Sequence, residues 1–540
     1  MYAPIRSTVV VVRFCAAVAG LALLGACATQ TSTVPSPELQ GTSLMTLRAR
    51  LDKGETTSEL LVRAYLDRIE AMDRNGPTIR SVLAVNPDAL AQARALDAEL
   101  KQRGPRGPLH GIPVLIKDNI ETSDPLPTTA GSLALADNRT ARDAPIVANL
   151  RAAGAVILGK TNLSEWANFR SERSISGWSG LGGLTKNPHV LDRTPCGSSA
   201  GSGAAIAAGF GAAAVGTETD GSIVCPSSMN GVVGLKPTLG LLSGRYIVPI
   251  AHSQDTAGPM TIDVRDAAAM LDAMVGTAPA CDPPAHGCKR GDYLGALASD
   301  GLRGKRIGVL RFAAPSQPQV DAIYEGALQV VRDAGAELIE VETPEMSPIY
   351  AAEDIVLHAE FKTDLNAYLA TLPASVQTRT LDALIGFNRS NVRELALFGQ
   401  ESFEKANGTS ADASYREALA TSKKLAGEQG ISRLLAEHRL DLLVAPTTGT
   451  AWRIDLANGD QFPGSFSTLP AVSGYPHLTV PMGDVYGLPV GLSFIGAPWT
   501  EDKLLAAGHT FEQRSKRAVK AKFLPSIETD YPAFERSKGR

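Results

Sequence analysis

Gly197-Ser198-Ser199-Ala200-Gly201-Ser202 and Thr217-Glu218-Thr219-Asp220-Gly221-Ser222-Ile223 frame the stretch on which the reading of this chain turns. Between them lies an alanine-rich run, Ala204 to Ala214, whose small side chains predict a helix packed closely against its neighbours. Glycines leave backbone N–H groups free, and serines offer hydroxyls. An acyl-transfer site needs that pairing: a nucleophilic hydroxyl beside amide donors for a developing oxyanion. The competing reading is a pair of flexible linkers around a helix. Linkers seldom sit inside an apolar segment, and this one runs on into Gly231-Val232-Val233-Gly234-Leu235-Lys236-Pro237-Thr238.

Upstream, Leu109-His110-Gly111-Ile112-Pro113-Val114-Leu115-Ile116-Lys117-Asp118-Asn119 contains a short apolar run that predicts a strand buried on both faces. It ends on Lys117. A lysine closing a buried strand is unusual, although most such lysines snorkel to the surface. Ala155-Val156-Ile157-Leu158-Gly159-Lys160 repeats the theme, with a helix expected before it over 144–153. Helical spacing also marks 44–74, with a start at Thr56-Thr57-Ser58-Glu59, and 87–103, which Gly104-Pro105 ends. Residues 303–345 read as a strand–helix–strand unit, 346–440 as mostly helix, and 441–447, 479–483 and 488–496 as core strands before a last helix near Glu501. Strands alternating with helices predict an α/β fold.

The 540 residues allow a large core, and 44% hydrophobic with 20% charged content is that of an ordinary globular protein. A net charge of −4 gives no reason to expect a nucleic-acid partner. The 8 histidines form no HExxH and the 6 cysteines no CxxC, so no metal is expected. Arg6 and Arg13 precede an apolar run, Phe14–Leu24, which is too short to span a bilayer and reads as a secretory signal. Leu24-Gly25-Ala26-Cys27 resembles the bacterial lipobox. That resemblance implies lipidation at Cys27, a lipid anchor as the only membrane contact, and a place on the periplasmic side of a bacterial cell envelope. The domain reading is then a signal over 1–26, a tether over 27–42 and one catalytic domain over 43–530. Cys281 and Cys288 bracket a short loop that a disulfide could close. Cys196 and Cys225 read as small buried hydrophobes, with a bridge between them possible but unsupported.

At Lys117, Ser198 and Ser222 the chain resembles the amidase signature family. Gly197 to Ser202 is similar to that family's Gly-Gly-Ser-Ser-Gly-Gly-Ser segment, and Thr217 to Ile223 to its Thr-Asp-x-Gly-Gly-Ser-Ile segment. The 24 residues from Ser198 to Ser222 fit the family spacing. Gly234-Leu235-Lys236-Pro237-Thr238, Asp255-Thr256-Ala257-Gly258-Pro259 and Gly487-Leu488-Pro489-Val490-Gly491 also match, so the resemblance runs over about 43–515. Glu218 stands where the family has Asp, Asp220 where it has its first Gly, and Val224 where an arginine is usual. With Glu360-Phe361-Lys362-Thr363-Asp364-Leu365-Asn366, these departures point to the bacterial peptide amidases.

The resemblance implies a large mixed central β-sheet covered by helices on both faces. It implies that Ser222 attacks an amide carbonyl, that Ser198 relays the proton after a cis peptide bond, and that neutral Lys117 is the base. The backbone amides of Thr219, Asp220, Gly221 and Ser222 would form the oxyanion hole, with Ser199 supporting the network. The expected reaction turns a carboxamide, a peptide C-terminal amide or a small amide, into a carboxylate and ammonia without a cofactor. No obligatory protein partner is expected. The glutamyl-tRNA amidotransferase A subunit is a relative, but an export signal argues against tRNA. Within the same fold an aryl or acyl amidase or an esterase is the alternative, and an inactive binding lipoprotein is a further one. Gly197-Ser198-Ser199-Ala200-Gly201 also satisfies G-x-S-x-G around Ser199, but turn residues rather than a strand precede it. Ser402 to Lys405, an S-x-x-K, reads as chance.

Overall fold

The computed structural model describes residues 38–276, 291–298, 300–311 and 317–530. The signal, Cys27 and the Cys281–Cys288 loop lie outside the described residues. Eleven strands form one sheet: Val82–Val85 (β1), Pro113–Lys117 (β2), Val156–Thr161 (β3), Ala213–Glu218 (β4), Val233–Lys236 (β5), Thr256–Thr261 (β6), Arg306–Val309 (β7), Glu337–Glu340 (β8), Leu442–Pro446 (β9), His477–Val485 (β10) and Leu488–Ile495 (β11). Their order is β1-β3-β2-β4-β6-β5-β10-β11-β9-β7-β8. Pairing is mixed: β2 lies parallel to both β3 and β4, β7 parallel to β8 and β9, and the other pairs are antiparallel. This is the mixed sheet the sequence implied.

The local signals hold in detail. Thr57 accepts the Leu60 N–H at the start of the helix Ser58–Arg68, and Gly104 ends Ala89–Arg103 in a positive-φ conformation. The helix Pro318–Asp333 connects parallel β7 and β8. One expectation needs correcting. The alanine-rich run is not one helix: Ala200–Ala208 (α1) stops at Gly209, which adopts φ +74°, and Ala213 and Ala214 already pair with Val114 and Leu115. A run of alanines carries no period, so it cannot show where helix becomes strand; the glycine does.

Close packing of α1 positions the first serine loop. A Cβ on Gly201 would sit 2.4 Å from the carbonyl oxygens of both Ser81 and Asn162. Only glycine lets the helix approach β3 that closely. In β2 all five residues are buried, between β3 and β4 in mid-sheet, so its terminal lysine has no edge along which to reach water.

Candidate active site

Lys117 stays in the core, fully buried. Its Nζ lies 2.8 Å from Ser198 Oγ, 2.8 Å from Thr217 Oγ1 and 3.1 Å from the Thr217 carbonyl oxygen. A neutral amine has two protons and one lone pair. With three oxygen neighbours it donates to the two oxygens of Thr217 and accepts from the Ser198 hydroxyl. Burial drives the Lys117 pKa down to about 7, against the opposing pull of Asp255 and Glu218. The neighbouring buried lysine is a useful contrast. Lys160 makes an ion pair with Asp118 at 3.0 Å, whereas the three hydrogen-bond partners of Lys117 are all uncharged oxygens. Lys160 is held in an ion pair; Lys117 is a desolvated amine among neutral oxygens.

The Gly197–Ser198 peptide bond is cis. Ser199 stands between the N–H and C=O of Thr217, accepting from the first at 3.2 Å and donating to the second at 3.0 Å. It is thereby committed to the backbone, and the G-x-S-x-G reading with Ser199 as nucleophile fails. The N–H of Ser199 donates to the Ser222 carbonyl at 3.1 Å, which ties the two serine loops together directly.

The second loop is a turn from β4 into the short helix Val224–Met229 (α2). Glu218 fixes it: the buried Oε2 accepts the N–H groups of Ile223 at 2.8 Å and Val224 at 3.0 Å. The loop between is anchored by Thr219, whose hydroxyl donates to Asp255 at 2.5 Å. Gly221 turns with φ +78°. The backbone amides of Thr219, Asp220, Gly221 and Ser222 have no acceptor among the described residues. Open amides at a pinned turn beside a serine are the arrangement an oxyanion hole requires.

Ser222 opens onto a cleft of about 900 Å³ that Gly197 and the whole 219–222 loop also line. One wall carries Phe169 against His358, ring centres 5.0 Å apart. Another carries Trp452 edge-on to Phe462 at 5.8 Å. The long helix Ser347–Ala370 (α3) turns Tyr350, Asp354, Leu357 and His358 toward the same space. Residues 346–440 had no motif to which the sequence could attach chemistry. The i, i+4, i+7, i+8 spacing of those four is the one signal available, and it does not separate a cleft wall from an ordinary packed face.

Two cysteines were misread. Cys196 and Cys225, 29 residues apart, form a disulfide with their Cα atoms 6.0 Å apart. The bond closes the stretch holding both serines, and closing a loop of that length stabilises the fold by about 3–4 kcal/mol on the chain-entropy account. Neither residue lies in a recognisable cysteine pattern, so the pairing depends on β4 folding back alongside α1. Among the described residues, one group brings three possible metal-ligand atoms together: His252, Glu360 and Asp364. These atoms already serve one another and the backbone. His252 pairs with Asp364 at 2.8 Å, and Glu360 accepts from the Ser253 N–H and the Tyr415 hydroxyl.

The Amidase family model matches residues 60–505. The chain belongs to the amidase family. Structural resemblances extend over almost the whole molecule. The native peptide amidase from Stenotrophomonas maltophilia is 48% identical, with TM-score 0.86, covering 91% of this chain and 99% of that one. A peptide amidase in complex with the competitive inhibitor chymostatin is 49% identical, with TM-score 0.86, covering 89% and 99%. A probable amidase of Arabidopsis thaliana is 38% identical, covering 90% of this chain and 92% of its own length. This amidase is an amide-cleaving serine hydrolase. Among the described residues, none of its helices is long and apolar enough to cross a membrane.

Proposed function

We propose that this amidase hydrolyses the C-terminal carboxamide of peptides through a Ser222–Ser198–Lys117 relay. The observation that carries the reading is the 2.8 Å contact between Ser198 Oγ and a lysine amine that burial has pulled to about 7. Lys117 takes the Ser198 proton, Ser198 takes that of Ser222, and Ser222 Oγ attacks the carbonyl carbon. The oxygen of the tetrahedral intermediate is held by the 219–222 amides. Ser198 then returns a proton to the nitrogen, and ammonia leaves. Water attacks the acyl-enzyme through the same relay and frees the carboxylate. Support for a peptide rather than a small amide comes from the size of the cleft, its aromatic walls and the likeness to peptide amidases. Ammonia release across peptide amides, amino-acid amides and aryl amides tests it. Peptide amides are expected to give the highest kcat/KM; faster turnover of aryl amides would make this an aryl amidase of the same fold.

We also propose that the protein is exported and held by lipid at Cys27. The signal-like segment and lipobox-like Leu24-Gly25-Ala26-Cys27 support this, as does the Cys196–Cys225 disulfide, a bond typical of oxidising compartments. The full chain is expected in the bacterial membrane fraction, and Cys27→Ala in the soluble one. Wild-type protein found soluble would refute the anchor.

A further inference from the structure

A primary carboxamide loses only ammonia, so nearly all of the cleft serves the acyl part of the substrate. Exposure orders that cleft from floor to mouth. Ser222 and Trp452 lie deep, each 8% exposed, whereas Phe462 and Tyr350, which line the same space, are 53% and 49% exposed. The relay uses neither ring. A half-bare aromatic side chain inside a cleft marks a contact for an apolar partner. Phe462 is also held in place. Asp460, two residues before it, accepts the Trp452 indole N–H at 3.1 Å and the Ser176 N–H at 2.9 Å. Pro463, directly after it, packs onto Gly449, where a Cβ would sit 2.8 Å from the proline Cβ, and Ser465 bridges to Thr448. The segment is pinned on both sides of Phe462, and the ring still stands half uncovered. Tyr350 comes from a different wall, the first turn of α3.

The structure assigns Phe462 and Tyr350 as the subsite for the penultimate side chain of the substrate, and so points to peptide amides that carry a large apolar or aromatic residue at that position. The assignment rests on the proposed Ser222 chemistry. With the scissile carbonyl at Ser222, the last residue occupies the floor. The residue before it lies about 3.3–3.6 Å farther along an extended chain, toward the mouth where the two rings stand. A large side chain there takes its own apolar surface and that of both rings out of water, and an aromatic one adds ring–ring contact. A glycine leaves both rings wet. Charge offers less at this rim. Asp354 is already paired with Lys405 at 2.8 Å, and Glu172 is exposed, where water and salt screen it.

The test compares kcat/KM for N-acetyl-Phe-Ala-amide, N-acetyl-Lys-Ala-amide and N-acetyl-Gly-Ala-amide, which differ only at the penultimate residue. In wild type the Phe compound is expected to exceed the Gly compound by about 10- to 100-fold, the scale for taking a large apolar side chain out of water. Phe462→Ala and Tyr350→Ala should each lower that ratio by about 3- to 10-fold, and the double variant should bring it close to one. Labelling of Ser222 by a fluorophosphonate reports that a variant is folded. A wild-type ratio within threefold of one, or an unchanged ratio in the labelled double variant, overturns the assignment. A Lys compound cleaved faster than the Phe compound overturns it as well, since the acids of the rim would then choose the substrate. Should the variants not fold, the wild-type comparison decides alone. A wild type that cleaves none of the three would overturn the proposed function instead.

Discussion

Ser222→Ala is expected to lower kcat on a peptide amide by about 10⁴-fold or more, the scale seen when a serine hydrolase loses its nucleophile. Binding should survive. The variant removes one oxygen at a residue only 8% exposed and leaves the cleft walls, Glu218 and the disulfide in place. Equilibrium dialysis should therefore recover near-wild-type affinity for the uncleaved substrate. A fluorophosphonate should modify wild type at Ser222 and leave the variant unlabelled. Ser198→Ala should cost less, about 10²- to 10⁴-fold, because it removes a proton relay and leaves the attacking group. Ser199→Ala acts indirectly, by freeing the N–H and C=O of Thr217. A Ser222→Ala enzyme within tenfold of wild type, or one still labelled, would remove the acyl-enzyme.

Lys117→Met is expected to lower kcat/KM by about 10³-fold, within the usual worth of a general base, while the protein stays folded. The stability half of this expectation follows from the network. The Thr217 carbonyl still accepts from Ser199, and Thr217 Oγ1 still accepts from the Asn119 side-chain amide at 3.0 Å. A methionine of similar length fills the space of an amine that carries its charge only in part near neutral pH. The pH dependence separates this role from a structural one. In the proposed relay Lys117 acts as the free amine, and its pKa is lowered to about 7, so activity is expected to be low below that value, to rise through it and to level off above. Asp255, raised to about 6 by burial, and Glu218, itself raised by burial, are the charges facing the amine, and each pulls the midpoint up while ionised. Glu353 titrates near 8, close enough to blur the profile, but it faces Asp220 and Gln254 rather than the amine. In Lys117→Met the limb near 7 should vanish. A limb that persists would assign it to the Asp220–Glu353 pair, and near-normal activity would remove the base altogether.

How much of this was legible beforehand differs from residue to residue. Lys117, Ser198 and Ser222 are each marked by their local sequence: a lysine closing an apolar strand, and serines in glycine-rich turns at a fixed separation. Thr217 carries no such mark. It holds Lys117 through its side chain and its carbonyl, a contact that exists because β2 and β4 are adjacent and parallel. Glu218 was visible only as a departure from a pattern. Its work, taking two amides at the start of α2, depends on how sharply the chain turns between β4 and that helix.

The sequence by itself determined the alternation of strands and helices, the mixed sheet through its family resemblance, and the three side chains proposed to carry the chemistry. These are properties of short segments, where periodicity, glycine punctuation and residue type act over a few positions. Only the tertiary structure decided that Cys196 and Cys225 bond, that α1 ends at Ala208, and that the cleft takes one wall from α3 and another from the 452–462 segment. The reason is physical: each of these joins residues far apart in the chain, and what an isolated cysteine, alanine or tyrosine contributes is set by the neighbour that folding places beside it.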